Sequence, residues 1–413
     1  MKTIAIVGPL DTKGPEYLYL KQCIENTGHK TLVIDIKTMG APGFEPDITC
    51  EEVAQAAGTS IQELLSRNNR AACIRCMGEG AAQVVSDLAR HRLISGVISM
   101  GGAQTTSMAA EIMRNLPVGF PKVIVSTLAT SEHDQKMLAG INDTFVINPL
   151  VDVAGLNDVL KMIIRRAAGA ICGMVSALAD QEQPVLDISP TKKCIGITMW
   201  GVTTKCVLEV ARLLENHGYQ ALIFHATGIG GHTMEMLIRQ GVIQGVADLT
   251  LAEFSNPLID GEYEYDPVRL TSAATMKIPQ VIVPGGCDMV KHIVSNGEIP
   301  DSYKNKVCYL HNPNLLFTRS SVSDNQILGR ALALKVNGAG DMAEVLFPLR
   351  GVSAYDIEGG PLYDQEADRA LAESIKENLE QDIVFKAFDM HINDPAFAEE
   401  IFNCLIRKIE KQT

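Results

Sequence analysis

The sequence is poor in aromatic residues, which make up 5% of its 413 residues and include a single tryptophan. That shortage argues against a recognition surface of stacked rings. Together with 34 glycines it suits an enzyme-like fold of strands, tight turns and close backbone approaches. Positive charge is also in deficit: Lys and Arg total 36 against 49 Asp and Glu, a formal net charge of −13. This opposes a nucleic-acid or anionic-membrane partner, while a local basic site can still bind a phosphate. No long apolar run is present. The longest uncharged stretch, Leu93 to Ala110, contains Gly96, Gly101, Gly102, Gln104, Thr105 and Thr106 and is not a membrane span. The 10 cysteines are too dispersed in a long chain for a secreted disulfide framework. The opening MKTIAIVGPLDTKG reads as a strand rather than a signal peptide. A cytoplasmic protein with reduced thiols is the expectation. There is no GxSxG elbow, and His225 and His232 do not have the spacing of a zinc helix.

What is present is globular: 46% hydrophobic and 21% charged residues in a length that allows two or three domains. A weak internal duplication points to two. Residues 2–36 and 193–226 share one plan: a short apolar strand, a polar turn, an amphipathic helix ending at Gly28 or Gly218, and a second apolar strand. Strands joined through a helix make parallel βαβ units. Further apolar runs are read as strands at 72–77, 95–100, 122–127 and 144–147 in the first half. In the second half they fall at 245–250, 280–284, 307–310, 345–349 and in the tail at IVFKAF. The fold class expected is therefore α/β, two Rossmann-like doubly wound parallel-sheet domains in tandem. The polar, proline-containing segment 179–193 is the expected linker, with domains 1–184 and 185–413.

Ligands of open parallel sheets bind where strands run into helices at their carboxyl ends. Gly8-Pro9-Leu10-Asp11-Thr12-Lys13-Gly14 follows the first strand and sets a carboxylate, a hydroxyl and an ammonium over a helix start, where an anion is favoured. Lys13 and Thr12 suit a phosphate; Asp11 suits a metal or a water. Gly101, Gly102, Gln104 and Thr105, followed by Thr106 and Ser107, offer close backbone approach and donors after the 95–100 strand. Gly78-Glu79-Gly80 is read as a neighbouring loop, and Ser126 and Thr127 end a further strand. Cys73 and Cys76 form a CxxC read as lying within a strand, so the two thiols face opposite ways. In the second half, five strand ends carry polar or glycine-rich loops. They hold Trp200, Gly201, Thr203 and Thr204; His225, Thr227, Gly228, Gly230 and Gly231; Glu253 and Asn256; Gly285, Gly286, Cys287 and Asp288; and His311. Five such loops in register suggest a pocket. His225, Glu253, Asp288 and His311 are the expected acid–base set. Cys287 has the position of a nucleophile, although such a cysteine is more often a packing residue.

The segments GPLDTKG, MGGAQTTSMAA, LVDVAGLN, ITMWGVTTKCV, FHATGIGGHTMEML, PGGCDMV, LHNPN, GVSAYDIEGGPLYDQEAD and HINDPAFAEE together resemble an uncharacterised protein family. It is the one containing the inhibitory N-terminal region of the tomato mosaic virus resistance protein, and it is described as ATP-binding. The resemblance implies two Rossmann-like subdomains, usually in a homodimer, with ATP in the first. Gly8, Asp11, Thr12 and Lys13 match the family's first loop, and Gly101, Gly102, Gln104 and Thr105 its glycine-rich loop. The chain departs at Ala103, where a third glycine is usual, and at Gly78-Glu79-Gly80, where a glycine-serine-glycine loop is usual. Glu79 would bring negative charge toward a phosphate, which a magnesium ion between them would offset. The expectation is an ATP-binding metabolic enzyme acting on a small anionic or carbonyl substrate in a cleft between the two halves. The alternatives are a nucleotide-independent hydrolase, lyase or isomerase using the second half, and a non-catalytic regulatory or interaction protein.

Overall fold

The computed structural model describes residues 1–413 except 38–39, 67–68, 131–137, 139, 141–142, 179–191, 262 and 412–413. The expected linker lies almost wholly outside the described residues. The chain divides into two compact units, Met1–Ile188 and Ser189–Thr413.

The first unit is built on five strands: β1 (Thr3–Gly8), β2 (Lys30–Asp35), β3 (Gly96–Gly101), β4 (Lys122–Ser126) and β5 (Phe145–Ile147). They form one sheet in the order β2-β1-β3-β4-β5, and every pairing is parallel. Alternate residues of a strand face opposite sides. Ala5 and Val7 therefore pack with the helices Cys50–Ala56, Arg70–Arg90 and Ala103–Arg114, while Ile4 and Ile6 pack with Leu10–Glu25 and Asp158–Ala177. Both faces are covered, which is why the strands read as continuous apolar runs.

The second unit holds β6 (Cys194–Met199), β7 (Gln220–His225), β8 (Gly245–Asp248), β9 (Gln280–Ile282), β10 (Met289–Ile293), β11 (Cys308–Asn312), β12 (Leu315–Arg319), β13 (Ala343–Pro348) and β14 (Val384–Phe388). Its main sheet runs β14-β13-β9-β8-β6-β7, again all parallel. Counted from its own first strand, this sheet repeats the order of the first: the second strand lies on one side, and the third and later strands on the other. The helices Thr204–Asn216 and Pro395–Lys411 cover one face, and Val322–Val336 and Gln365–Asn378 the other. Gly28 and Gly218 adopt φ of 89° and 84°, the left-handed conformation that closes a helix without a Cβ penalty.

Two expectations are corrected. Residues 72–77 are not a strand but part of the helix Arg70–Arg90, so Gly78-Glu79-Gly80 is helix interior and not a loop. Cys73 and Cys76 lie three apart on that helix, on neighbouring rather than opposite faces. The strand read at 307–310 is β11, which belongs to a separate antiparallel sheet in the order β10-β12-β11. His311 is therefore not a fifth parallel strand end.

Tyr17, fully buried on the first helix, ties β1 to β3. Its hydroxyl lies 3.1 Å from the Val7 carbonyl oxygen and 2.5 Å from that of Met100, and accepts from the Met100 N–H at 2.9 Å. Gly8 leaves room for this ring, since a Cβ there would run into it. Tyr17→Phe removes the buried hydroxyl that joins the first helix to both strands. It is expected to lower stability by about 1 kcal/mol in urea unfolding followed by circular dichroism.

Candidate functional site

In the first sheet the chain turns to one side of β1 for β2 and to the other for β3, so the loops after β1 and β3 diverge and open a crevice. A cavity of about 550 Å³ lies there. It is lined by Asp11, Thr12 and Lys13 from the first loop and by Gly102, Ala103, Gln104 and Thr105 from the second. The structure thus brings together the two motifs singled out in the sequence. The first helix is irregular at Lys13 (φ −129°, ψ 21°), whose ammonium donates to the Val153 carbonyl. The Thr12 N–H donates to Asp11 Oδ1 at 2.8 Å. The helix Ala103–Arg114 starts at Gly102, and no side chain among the described residues caps it. Its first internal backbone bond is Thr106 N–H to the Gly102 carbonyl at 2.9 Å, so the N–H groups of the helix start before it have no intrahelical partner, and their residues line the cavity.

Half of the lining residues were not singled out in the sequence, Asp152, Lys37 and Leu64 among them. Asp152 sits beside Val153 and accepts its N–H at 2.7 Å. Lys37 lies 3.4 Å from Asp35 at the end of β2. Burial pushes the Asp35 carboxyl above the ordinary carboxylate range, against hydrogen bonds from the Leu10 and Lys37 N–H groups. Leu64, with Ile36, Ile74 and Met108, supplies an apolar wall. The strand-end rule could have found Lys37, two residues past β2. Leu64 has no such signal, because it comes from a short helix far from any strand end.

The other expected cofactor residues have different places. Gly78 and Glu79 line an adjacent cavity of about 500 Å³ with Ser107, and a Cβ on Gly80 would run into the Val53 carbonyl. Glu79 is thus not among the residues lining the cavity that holds Lys13. Ser126 is buried; its hydroxyl meets Thr106 Oγ1 at 2.7 Å and accepts the Leu128 N–H at 3.0 Å, so it braces the loop. The Thr127 N–H donates to the Gly101 carbonyl at 3.3 Å. A Cβ on Gly101 would come within 2.6 Å of Thr105, whereas one on Gly102 would meet only Thr127 Oγ1, at 3.8 Å. Gly101 is small for packing; Gly102 is open toward the cavity.

In the second unit three of the four expected acid–base residues, Glu253, Asp288 and His311, are engaged with different partners. Glu253 is buried and bonds Arg269 Nε at 2.6 Å, while its other oxygen accepts the Gly228 and Gly231 N–H groups at 2.6 and 3.3 Å. It anchors the start of the helix Ile229–Arg239. Arg269 also binds Asp248 through two bonds of 2.5 and 2.7 Å, and Glu235 lies 3.6 Å away. Burial raises the Glu253 pKa, with Arg269 opposing. Asp288, fully buried, accepts the Ser353 hydroxyl at 2.7 Å and stands beside Arg319, Asp356 and Asp368. His311 is exposed and pairs through Nδ1 with the Tyr355 hydroxyl at 2.9 Å. His225 is exposed at the end of β7. Cys287 is buried and its thiol is pushed up to about 12, so it is no thiolate nucleophile at neutral pH.

The residues expected to meet a substrate are mostly packed against protein. Trp200 lies edge-on to Phe317, ring centres 5.4 Å apart. The Thr203 hydroxyl, buried, meets Thr250 Oγ1 at 2.7 Å and the Trp200 backbone. Thr204 Oγ1 donates to the Gly201 carbonyl at 3.1 Å, and the Thr227 N–H to that of His225 at 2.8 Å. A Cβ on Gly230, Gly231 or Gly285 would run into the His225 carbonyl, the Glu253 carboxylate or the Leu249 carbonyl, and one on Gly286 would touch Trp200 at 3.5 Å. Gly201 and Gly228 have open space around them in this set, and Gly228 has a φ of 97°. Sequence reasoning missed Arg269, Arg319, Tyr355, Asp356 and Asp368, which organise the unit. The last three lie in the motif GVSAYDIEGGPLYDQEAD, whose acidic residues were the available signal.

Among solved structures, the chain is similar to the UDP-GlcNAc 2-epimerase from Neisseria meningitidis bound to UDP-GlcNAc. The identity is 10% and the TM-score 0.23, over 92% of this chain and 100% of that one. Among sequences, it is 39% identical to a UPF0261 protein of Clostridium tetani, over 99% of this chain and all of that one. It is 34% identical to the ToMV resistance protein Tm-1 of Solanum lycopersicum, over 82% of this chain and 44% of that protein. Residues 2–180 match the N-terminal domain, and residues 192–409 the C-terminal domain, of the uncharacterised protein family UPF0261. With both domains matched in order, the chain belongs to the UPF0261 family.

Proposed function

We propose that the first unit binds a nucleoside triphosphate, ATP with magnesium, in the crevice between β1 and β3. The observation that carries this reading is a single cavity lined both by Lys13 with its hydroxyl and carboxylate neighbours and by the uncapped helix start at Gly102. An ammonium and a row of free N–H groups favour a polyphosphate, and the wall of Ile36, Leu64, Ile74 and Met108 suits a purine. Asp11 and Asp152 would hold magnesium, which takes one or two carboxylates and completes its shell with phosphate oxygens and water. Among the described residues no group of three metal-ligating side chains is assembled, so the phosphates would have to complete such a site. Bound there, the ion would neutralise phosphate charge. Lys13 would hold the phosphate chain, and Gly102 would let it approach the backbone.

Calorimetric titration of ATP with and without magnesium tests the proposal. Saturable heat is expected with the wild type. Lys13→Ala should weaken binding by about tenfold or more, the loss of one charge-assisted contact. Gly102→Val should abolish binding while leaving the fold intact, because its side chain would enter the cavity rather than the protein. Absence of heat with the wild type, or equal heat with both variants, removes the ATP reading.

A further inference from the structure

The carboxyl edge of the second sheet contains a charge imbalance that no surface pairing relieves. Three carboxylates, Asp288, Asp356 and Asp368, face one guanidinium, Arg319, and the four residues are 0%, 0%, 4% and 6% exposed. Arg319 donates to Asp368 Oδ1 at 2.5 Å, to the carbonyl of Asp288 at 2.8 Å and to that of Asp364 at 3.0 Å, and stands 3.9 Å from Asp356. Asp288 Oδ1, Asp356 Oδ1, Asp368 Oδ2 and Arg319 Nε are all buried without a hydrogen-bond partner among the described residues. Fully ionised, the group would bury two uncompensated negative charges, which proteins avoid by keeping protons on such carboxyls. A proton on one carboxyl also turns an acceptor into a donor toward its neighbour.

The same residues fasten one loop, 351–364, between β13 and the helix Gln365–Asn378. Asp288, from the segment after β9, accepts the Ser353 hydroxyl at 2.7 Å. The Ser353 hydroxyl accepts the N–H groups of Tyr355 and Asp356, at 3.1 and 3.2 Å. Asp356 in turn accepts the Val352 N–H at 2.9 Å. Tyr355, at the turn, reaches His311 on β11 and stacks near Tyr309 at 4.7 Å. We propose that Arg319, Asp288, Asp356 and Asp368 form a proton-loaded latch. While protonated it holds the 351–364 loop down and Tyr355 against His311; when it loses its protons the loop is released.

The groups facing the latch leave the sign of the effect clear. Burial first and the neighbouring carboxylates second push Asp288 and Asp368 upward; Arg319 opposes both, and the Ser353 hydroxyl opposes more weakly at Asp288. Tyr363 in the loop and Cys287 beside Asp288 are both raised and stay neutral near pH 7. His391 lies behind the turn, with Nε2 at 2.9 Å from the Ser353 carbonyl. Rising pH therefore adds negative charge to the cluster with no new cation to meet it.

Hydrogen–deuterium exchange of the full chain from about pH 6 to about pH 9, corrected for the intrinsic rate, tests the latch. The protection of peptides over 351–364 should fall by about tenfold or more as pH rises. Asp368→Asn keeps a neutral group in place and should flatten that dependence. Ser353→Ala cuts the tether without changing charge and should leave the loop unprotected at the low end as well. Protection that does not change with pH in the wild type overturns the proposal. So does an unchanged pH dependence in Ser353→Ala, or in Asp368→Asn where that variant folds. A 351–364 loop whose protection stays as high as that of the strands β6 and β8 at every pH would open only with the whole unit and would also overturn it.

Discussion

Arg269→Met is expected to destabilise the second unit by about 3–5 kcal/mol, because it removes the one guanidinium from among three buried carboxylates. Arg269 is 2% exposed, and so are the side chains of Asp248, Glu235 and Glu253. The methionine fills similar volume, so the loss measures uncompensated charge rather than a cavity. Each carboxylate keeps other partners: Thr198 Oγ1 on Asp248 at 2.7 Å, the Leu270 and Ser272 N–H groups on Glu235 at 2.6 and 2.8 Å, and the two glycine N–H groups on Glu253. Those hydrogen bonds limit the damage and set the expected range below the cost of three bare charges. The single tryptophan, Trp200, lies in the second unit, so its fluorescence during urea unfolding reports that unit directly. Arg350→Met is the control: its two-bond pair with Asp389 is more than half exposed, and its loss should leave the midpoint where it was. Equal midpoints for wild type and Arg269→Met would show that the cluster is not held by its arginine.

The parallel sheets were legible because a strand covered on both faces leaves a continuous apolar run, as in Ile4 to Val7 and Cys194 to Ile197. The same rule misled at residues 72–77. ACIRCM is as apolar as a strand and is followed by Gly78-Glu79-Gly80, which looks like a turn. The buried residues Cys73, Met77, Gly80, Ala81 and Val85 instead repeat at helical spacing. The glycines serve close packing, Gly80 against the Val53 carbonyl and Gly78 against Met108. Two strands of the antiparallel sheet, MVKHI and LLFTR, carry charges and were not distinguished from loop. In the first unit the polar side of the cavity was legible because it is formed by the loops after two specified strands, whereas most of its apolar wall comes from helices. In the second unit the organising contacts were not. Arg269 meets partners 16 and 21 residues away, and Arg319 bonds partners 31 and 49 residues away. Charged side chains also read as solvated unless their burial is known. Glu253 and Asp288 stood at the right strand ends, but their burial commits them to holding the unit together.

The stability of the second unit is expected to fall as pH rises from about 5 to about 8, the reverse of a protein whose carboxylates are stabilised by exposed cations. Asp288 and Asp368, ordinarily near 3.8, are pushed up to about 7 and about 8 in the folded chain, first by burial. Between the unfolded and folded values the native state holds more protons than the unfolded one, so the slope of unfolding free energy against pH is negative. The contribution is fully present below about pH 4 and is lost as pH passes through the folded values. The two groups share one cluster and do not add independently; the combined loss should be on the order of 3 kcal/mol. His232 acts in the same direction: its hydrogen bond to Asp266 at 2.9 Å raises its pKa, so its smaller contribution also disappears at higher pH. His232→Gln separates the two, because it removes the histidine term and leaves the carboxyl one. Urea midpoints followed through Trp200 at about pH 5.5, about pH 7 and about pH 8.5 should decline steadily in both proteins. In Asp368→Asn the upper part of the decline should be smaller, because one of the two protons is replaced by a permanently neutral amide. A midpoint that holds level or climbs over that range would mean that Asp288 and Asp368 ionise freely in the folded chain, and that the fold carries their charge by some means other than protonation.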